Sequence, residues 1–147
     1  MNRHAVKASS EAASHRMSRT GQRDTSAEMR IRRLLHAAGL RYRVDYLVLN
    51  RPRRKADIAF TRIRVAVFID GCYWHGCPEH GTWPKANARF WREKIETNRV
   101  RDLDTNTRLE AEGWRVIRVW EHEEPREVVK KIIDVVRARS LEQKRQQ

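Results

Sequence analysis

Ala56-Asp57-Ile58-Ala59-Phe60, Thr61-Arg62-Ile63-Arg64 and Val65-Ala66-Val67-Phe68-Ile69-Asp70-Gly71 follow one another without a break, two short apolar runs on either side of a basic tetrapeptide. Their β-branched and aromatic content predicts strands over Asp57 to Phe60 and Val65 to Ile69. The short connection holding Arg62 predicts a hairpin between them. Asp57 opens the first strand and Asp70 closes the second. Antiparallel pairing makes those two ends neighbours, so two carboxylates are brought to the same place.

Working outward, Tyr42 to Val48 has the same strand character, and the polar turn Asn50 to Arg54 joins it to the hairpin, which implies an antiparallel meander. Upstream, Thr25-Ser26-Ala27-Glu28 has the form of a capping box. Ile31, Leu34, Leu35 and Ala38 then share one helical face, and Gly39 marks the stop. Downstream, Gly71 to Lys85 is crowded with Gly, Pro, Cys and His and has no period, so it is a loop that something other than an apolar core must fix. Asn87 to Glu112 predicts one long helix or two short ones, with Phe90, Trp91, Ile95, Leu103 and Leu109 buried and Gly113 as terminator. A strand over Trp114 to Trp120 follows, and a last helix starts at Pro125 and buries Val128, Val129, Ile132, Ile133, Val135 and Val136. This order describes an α/β domain, a mixed central sheet flanked by helices. Residues 1–23 are expected to be a flexible basic arm, 24–139 the folded domain and 140–147 a solvated tail.

The 147 residues suit one core. They carry 32 Lys and Arg against 19 Asp and Glu, a formal net charge of +13. So basic a chain points to a polyanion, and first to nucleic acid, because cationic side chains displace counterions from phosphates whatever the base sequence. The longest apolar run, Val65 to Ile69, is far too short to span a membrane, and the N-terminus lacks the apolar stretch of a signal peptide. A cytoplasmic, nucleoid-associated protein is expected. Two cysteines exclude a disulfide scaffold and, beside histidines in a reducing compartment, point to metal ligation.

Cys72-Tyr73-Trp74-His75-Gly76-Cys77-Pro78-Glu79-His80 offers two thiols and two imidazoles within one loop. Zn²⁺ takes four such ligands in a tetrahedron, and a ligand from a distant element would pin the loop to the sheet. Cys72, Cys77, His80 and His122 are therefore assigned to structural zinc, which leaves His75 for chemistry. The bland reading has two thiols that are merely buried or form a short-range disulfide, with His80 and His122 as surface residues. Phosphodiester hydrolysis needs carboxylates to hold Mg²⁺ and a group to activate water. Asp57 and Asp70 meet the first need, with Glu28 reaching in from the first helix and His75 from the loop. Each also has an ordinary explanation: Asp70-Gly71 is a common turn dipeptide, Glu28 completes a capping box, and Asp57 could be a solvated edge carboxylate.

Several short motifs occur together in order. These are Thr25-Ser26-Ala27-Glu28, Ala56-Asp57, Phe68-Ile69-Asp70-Gly71-Cys72-Tyr73-Trp74-His75, Phe90-Trp91-Arg92-Glu93-Lys94-Ile95 with Asn98 and Arg101-Asp102, and Gly113-Trp114-Arg115-Val116 leading to Trp120-Glu121. Across about Met17 to Glu123 the pattern resembles that of the very short patch repair (Vsr) mismatch endonucleases. The resemblance implies a restriction-endonuclease-like fold. It implies Mg²⁺ held by Asp57 and the carbonyl of Ile69, Glu28 holding water of the cation's shell, and His75 taking part in proton transfer. It also implies aromatic and Met wedges at Tyr73, Trp74 and Met17, inserted where base pairing is already weak. Two positions depart from the family: Asp70 stands where the best-known members have a second catalytic histidine, and Ile69 replaces a threonine.

The basic residues Arg89, Arg92, Lys94, Arg99 and Arg101 form either a phosphate-facing side of the long helix or its solvated face. Arg53 and Arg54, beside Arg51 and Lys55, are placed to clamp the DNA backbone near the scissile phosphate. The expected partner is double-stranded DNA carrying a mispair, by resemblance T:G, bound by a monomer, with mismatch-repair proteins as further partners. Two other readings stand beside this one: a related restriction or defence nuclease without mismatch preference, and a zinc-stapled DNA-binding module without catalysis.

Overall fold

A computed structural model describes residues 26–71 and 88–146. In chain order the elements are α1 (Ser26–Ala37), β1 (Arg43–Asn50), β2 (Arg53–Phe60), β3 (Val65–Asp70), α2 (Ala88–Ala111), β4 (Arg115–Trp120) and α3 (Pro125–Arg145). The four strands form one sheet in the order β1-β2-β3-β4. β1 pairs antiparallel with β2 and β2 with β3, while β4 joins β3 in parallel after the α2 crossover. The expected mixed α/β sheet is present, and it fits a restriction-endonuclease-like fold.

Strand alternation puts apolar side chains on both faces. One face collects Val65 and Val67 of β3 and Ile117 and Val119 of β4, packed with Ile31 and Leu35 of α1 and Val128, Val129, Ile132 and Val136 of α3. The other collects Ala66 and Phe68 with Val48, Leu49 and Ala59, closed by Leu109 of α2 and flanked by Trp114 and Val116. The sheet is thus sandwiched between α1 and α3 on one side and α2 on the other.

Both predicted glycine stops act as such. Gly39 has φ 83° and Gly113 φ 89°, a region glycine enters without the penalty a Cβ brings. After each, the chain bonds back to the helix in the Schellman pattern, from Leu40 N–H to Leu35 O (3.1 Å) and from Trp114 N–H to Leu109 O (2.9 Å).

Three expectations need correction. Arg53 and Arg54 lie on β2, which starts four residues before Asp57 because the turn from β1 closes on Arg51-Pro52 alone. Phe90 and Leu103 are 41% and 67% exposed, for the inward stripe of α2 runs through Trp91, Ile95, Asn98, Thr105 and Leu109 and leaves those two on its outer side. Residues 140–145 continue α3 rather than forming a tail. They have partners: Glu142 pairs with Arg115 (3.1 Å) and Arg139 (3.2 Å), and Gln143 Nε2 donates to the Arg62 carbonyl (3.1 Å). The Arg115 guanidinium, hydrogen-bonded to Glu142, holds that carboxyl below its ordinary range.

Candidate active site

The β2–β3 ladder runs through Phe60↔Val65, Ala59↔Ala66 and Ile58↔Val67. One residue further, the side chain of Asp57 takes over from the backbone, its Oδ2 accepting from the Ile69 N–H at 2.7 Å. The carboxylate is thereby fixed where the two strands part. Burial is the main force raising its pKa, which is pushed up from 3.8 to about 7; the Ile69 hydrogen bond opposes this, the charges of Glu28 and Asp70 add to it, and Arg118 opposes it.

The other two predicted carboxylates lie close enough for their charges to reach Asp57. Glu28, in the first turn of α1, is 3% exposed and ion-paired with Arg32 one turn later. Asp70 ends β3 and is held by Arg118, whose Nη1 donates to Oδ1 at 3.0 Å and Oδ2 at 3.3 Å. Three acids separated by up to 42 positions in sequence, from Glu28 to Asp70, are therefore assembled at one end of the sheet.

Sequence reasoning missed Arg118. Its neighbours Ile117 and Val119 are buried against α1 and α3, so strand alternation turns the guanidinium to the α2 face. There it lies over the Phe68 ring, 4.2 Å from the centroid. Its Nε donates to Asn106 Oδ1 at 2.7 Å, and Nη1 lies 3.7 Å from Asp102 Oδ1. The available signal was a charge between buried residues of a strand, together with the polar positions Asn98, Asp102 and Thr105 where a helix should turn inward.

Among the described residues no three His, Cys, Asp or Glu side chains converge as a ready metal cage. Mg²⁺ needs none, since it is commonly held by one or two carboxylates together with waters and substrate oxygens. Asp57, a carboxylate in a partly buried acidic cluster, suits that use: among the described residues it has an amide donor rather than an ion pair, and the carboxylates of Glu28 and Asp70 lie within reach of its charge. Of the four residues expected to hold zinc, only His122 is described. It follows Glu121, whose N–H donates to the Asp70 carbonyl at 2.9 Å, so it stands near the point where the chain leads from Gly71 to Cys72. Cys72, Cys77, His80, His75, Tyr73, Trp74, Met17 and the capping-box Thr25 lie outside the described residues. Arg53 is exposed on β2, whereas Arg54 reaches over to α2, its Nε donating to Thr105 Oγ1 at 2.9 Å. Among the described residues no helix is long and apolar enough to cross a membrane.

Comparison with known proteins bears on what such a cluster does. The family model described as DNA mismatch endonuclease Vsr matches residues 7–80, a span that includes Glu28, Asp57, Asp70 and the Cys72 to His80 loop. The Type II nicking enzyme V.NaeI of Lentzea aerocolonigenes is 45% identical over 114 residues, 76% of this chain and 69% of its own. The Type II nicking enzyme V.XorIIP of Xanthomonas oryzae pv. oryzae is 39% identical over 109 residues, 73% and 77% of the two chains. The DNA mismatch endonuclease Vsr of Escherichia coli (strain K12) is 38% identical over 104 residues, 67% and 62%. Identity of 45% across 76% of its length, together with the family match, makes this chain a member of the Vsr family and an endodeoxyribonuclease.

Proposed function

We propose that this endonuclease nicks one strand of double-stranded DNA at a T:G mispair, the product of 5-methylcytosine deamination, and so initiates very short patch repair by Mg²⁺-dependent hydrolysis. The observation that carries the reading is Asp57, a partly buried carboxylate fixed by the Ile69 amide amid Glu28 and Asp70, in a chain 38% identical to a protein named a DNA mismatch endonuclease.

Asp57 and the carbonyl of Ile69 would hold the cation. When bound, Mg²⁺ supplies stabilisation of the negative charge that develops on the phosphate. Glu28, ion-paired with Arg32, holds water on the site's α1 side, and His75 moves a proton to or from the reacting oxygen. Asp70 is a further acid of the site. Cys72, Cys77, His80 and His122 bind zinc and tie the loop that carries His75 to the end of the sheet. Tyr73, Trp74 and Met17 wedge into the weakened base pair, while Arg53, Arg54 and the basic residues of α2 meet phosphates. The enzyme works as a monomer in the cytoplasm at the nucleoid, with mismatch-repair proteins as further partners.

A second reading, a nuclease of restriction or defence systems without mismatch preference, is favoured by the Type II nicking enzymes among the relatives. Nicking of a labelled duplex with one T:G mispair, beside its matched control, separates the two. Selective nicking that requires Mg²⁺ and vanishes in Asp57→Ala supports the repair enzyme. Equal cutting of both duplexes replaces it with the defence nuclease.

A further inference from the structure

Asp70 is the acid with the least settled part in this site, and the residue that settles it lies on the neighbouring strand. Phe68 and Arg118 are register partners in the parallel β3–β4 pair. From that position the guanidinium spans three acceptors on two other elements: both Asp70 oxygens at the end of β3, and Asn106 and Asp102 on α2. It also rests on the Phe68 ring. The side chains of Arg118, Asp70 and Asp102 are only 18%, 13% and 18% exposed. A planar fork with its faces and edges occupied on several sides has little room to turn. Its positive charge nonetheless reaches Asp57, which it opposes in sign to Glu28 and Asp70.

We propose that Arg118 is a positioning residue of the nicking reaction, which holds Asp70 out of the cation's ligand set and sets the net charge that Asp57 presents to the cation. The inference rests on the reading of Asp57 as the cation-holding carboxylate. With Asp70 clamped, the site would offer Asp57 as its principal charged ligand, and the Asp70 and Arg118 charges act on Asp57 with opposite sign. Removing either partner alone unbalances the site in opposite senses. Asp70→Asn removes a negative charge from the site and leaves Arg118 with Asp102 at 3.7 Å; Arg118→Met removes a positive charge from it.

The test is Mg²⁺ alone titrated into the EDTA-stripped full chain by calorimetry, with nicking rates measured in parallel and melting curves in EDTA to show that each variant folds. Cation binding is expected to weaken about tenfold in Asp70→Asn and to tighten about tenfold in Arg118→Met, the order expected of one unit charge acting on a divalent ion across a partly buried site. Nicking by Arg118→Met falls despite the tighter binding, because Asp70 now competes for the cation. The double variant, whose charge balance is restored, returns to within about threefold of wild-type affinity, and Arg118→Lys, which keeps the charge but not the fork, lies nearer wild type than Arg118→Met. A merely structural Arg118 would shift the melting midpoint without these opposed changes, so single variants that move cation affinity in the same direction, or leave it unchanged, overturn the proposal. Should Arg118→Met not fold, failure of Arg118→Lys and the double variant to keep near-wild-type cation affinity overturns it equally. Wild type that binds no Mg²⁺ overturns the reading of Asp57 itself, and this inference with it.

Discussion

An acid whose pKa rises on folding makes the protein less stable at high pH, the reverse of the usual carboxylate, and Asp57 provides a clean test. Below pH 3.8 the group is protonated in both states and contributes nothing. Between 3.8 and about 7 the unfolded chain releases the proton while the folded chain retains it. The unfolded state binds fewer protons in that window, so stability falls as pH rises, and above about 7 the loss is complete and constant. A shift of about three units corresponds to about 4 kcal/mol at 1.36 kcal/mol per unit. In Asp57→Asn the amide cannot ionise, yet its carbonyl oxygen can still accept the Ile69 N–H. Urea unfolding in EDTA from pH 4 to 8, wild type against Asp57→Asn, isolates this group from the other titrating acids. The variant is expected to gain about 4 kcal/mol relative to wild type across the window and to remain level beyond it, while losing nicking. If Asp57 holds the cation as proposed, saturating Mg²⁺ should return much of the difference to wild type. A wild-type-minus-variant difference that stays flat from pH 4 to 7 would refute the placement of Asp57 in a desolvated acidic cluster.

Other expectations follow from the packing and the charge. Leu109→Ala should cost about 3 kcal/mol in urea unfolding, since Leu109 is fully buried where α2 meets the sheet. Gly113→Ala should cost about 1 kcal/mol in the same assay; a Cβ there meets only Arg64 Nη1 at 3.5 Å, so the cost lies in the backbone at φ +89°. Enzyme purified without chelator should contain one zinc per chain by elemental analysis, lost in Cys72→Ser and reduced in His122→Ala; a metal-free wild type removes the zinc assignment. Nicking efficiency should fall steeply with salt, as expected of a chain with net charge +13, and Arg53→Ala should make that dependence shallower by about one unit of log–log slope.

The hairpin was legible because two short apolar runs rich in β-branched and aromatic residues, a short polar connection and terminal acids all agreed, and Asp57 with Asp70 falls at the sheet end as their positions required. Both helix stops were legible because glycine performs there a task other residues perform poorly. The outer edges were not. β2 begins at Arg53 since an antiparallel ladder pairs backbones and accepts the charged residues Arg53, Arg54 and Lys55 on an outer strand pair, which hydrophobic patterning cannot register. Leu103 was misplaced because reading α2 by its apolar residues alone overlooks a stripe that is polar where it passes Arg118. α3 ran past Arg139 because its last turn is held by ion pairs and a hydrogen bond to residues far away in sequence, Arg115 and Arg62.

The same polar interruption explains how a small fold keeps an acidic site rigid. A core formed only of aliphatic side chains has no means of fixing a carboxylate, since burial alone drives it to take up a proton. Here each acid has a donor from a different element: Asp57 the Ile69 amide, Glu28 the Arg32 guanidinium within α1, Asp70 the Arg118 guanidinium from β4. Among the described residues Asp57 has a neutral N–H donor where each neighbour has an ion pair, and it is the one whose pKa is pushed to about 7. Among the described residues the peripheral acids are thus ion-paired with protein cations, while the central one has an amide donor and feels Arg118 only at a distance, an electrostatic condition that suits binding a metal ion. Supplying Asp57 with its own cation, for instance by a lysine introduced nearby, should therefore stabilise the metal-free fold above pH 7 and abolish Mg²⁺ binding together. Stabilisation with cation affinity unchanged would show that the ion is held elsewhere.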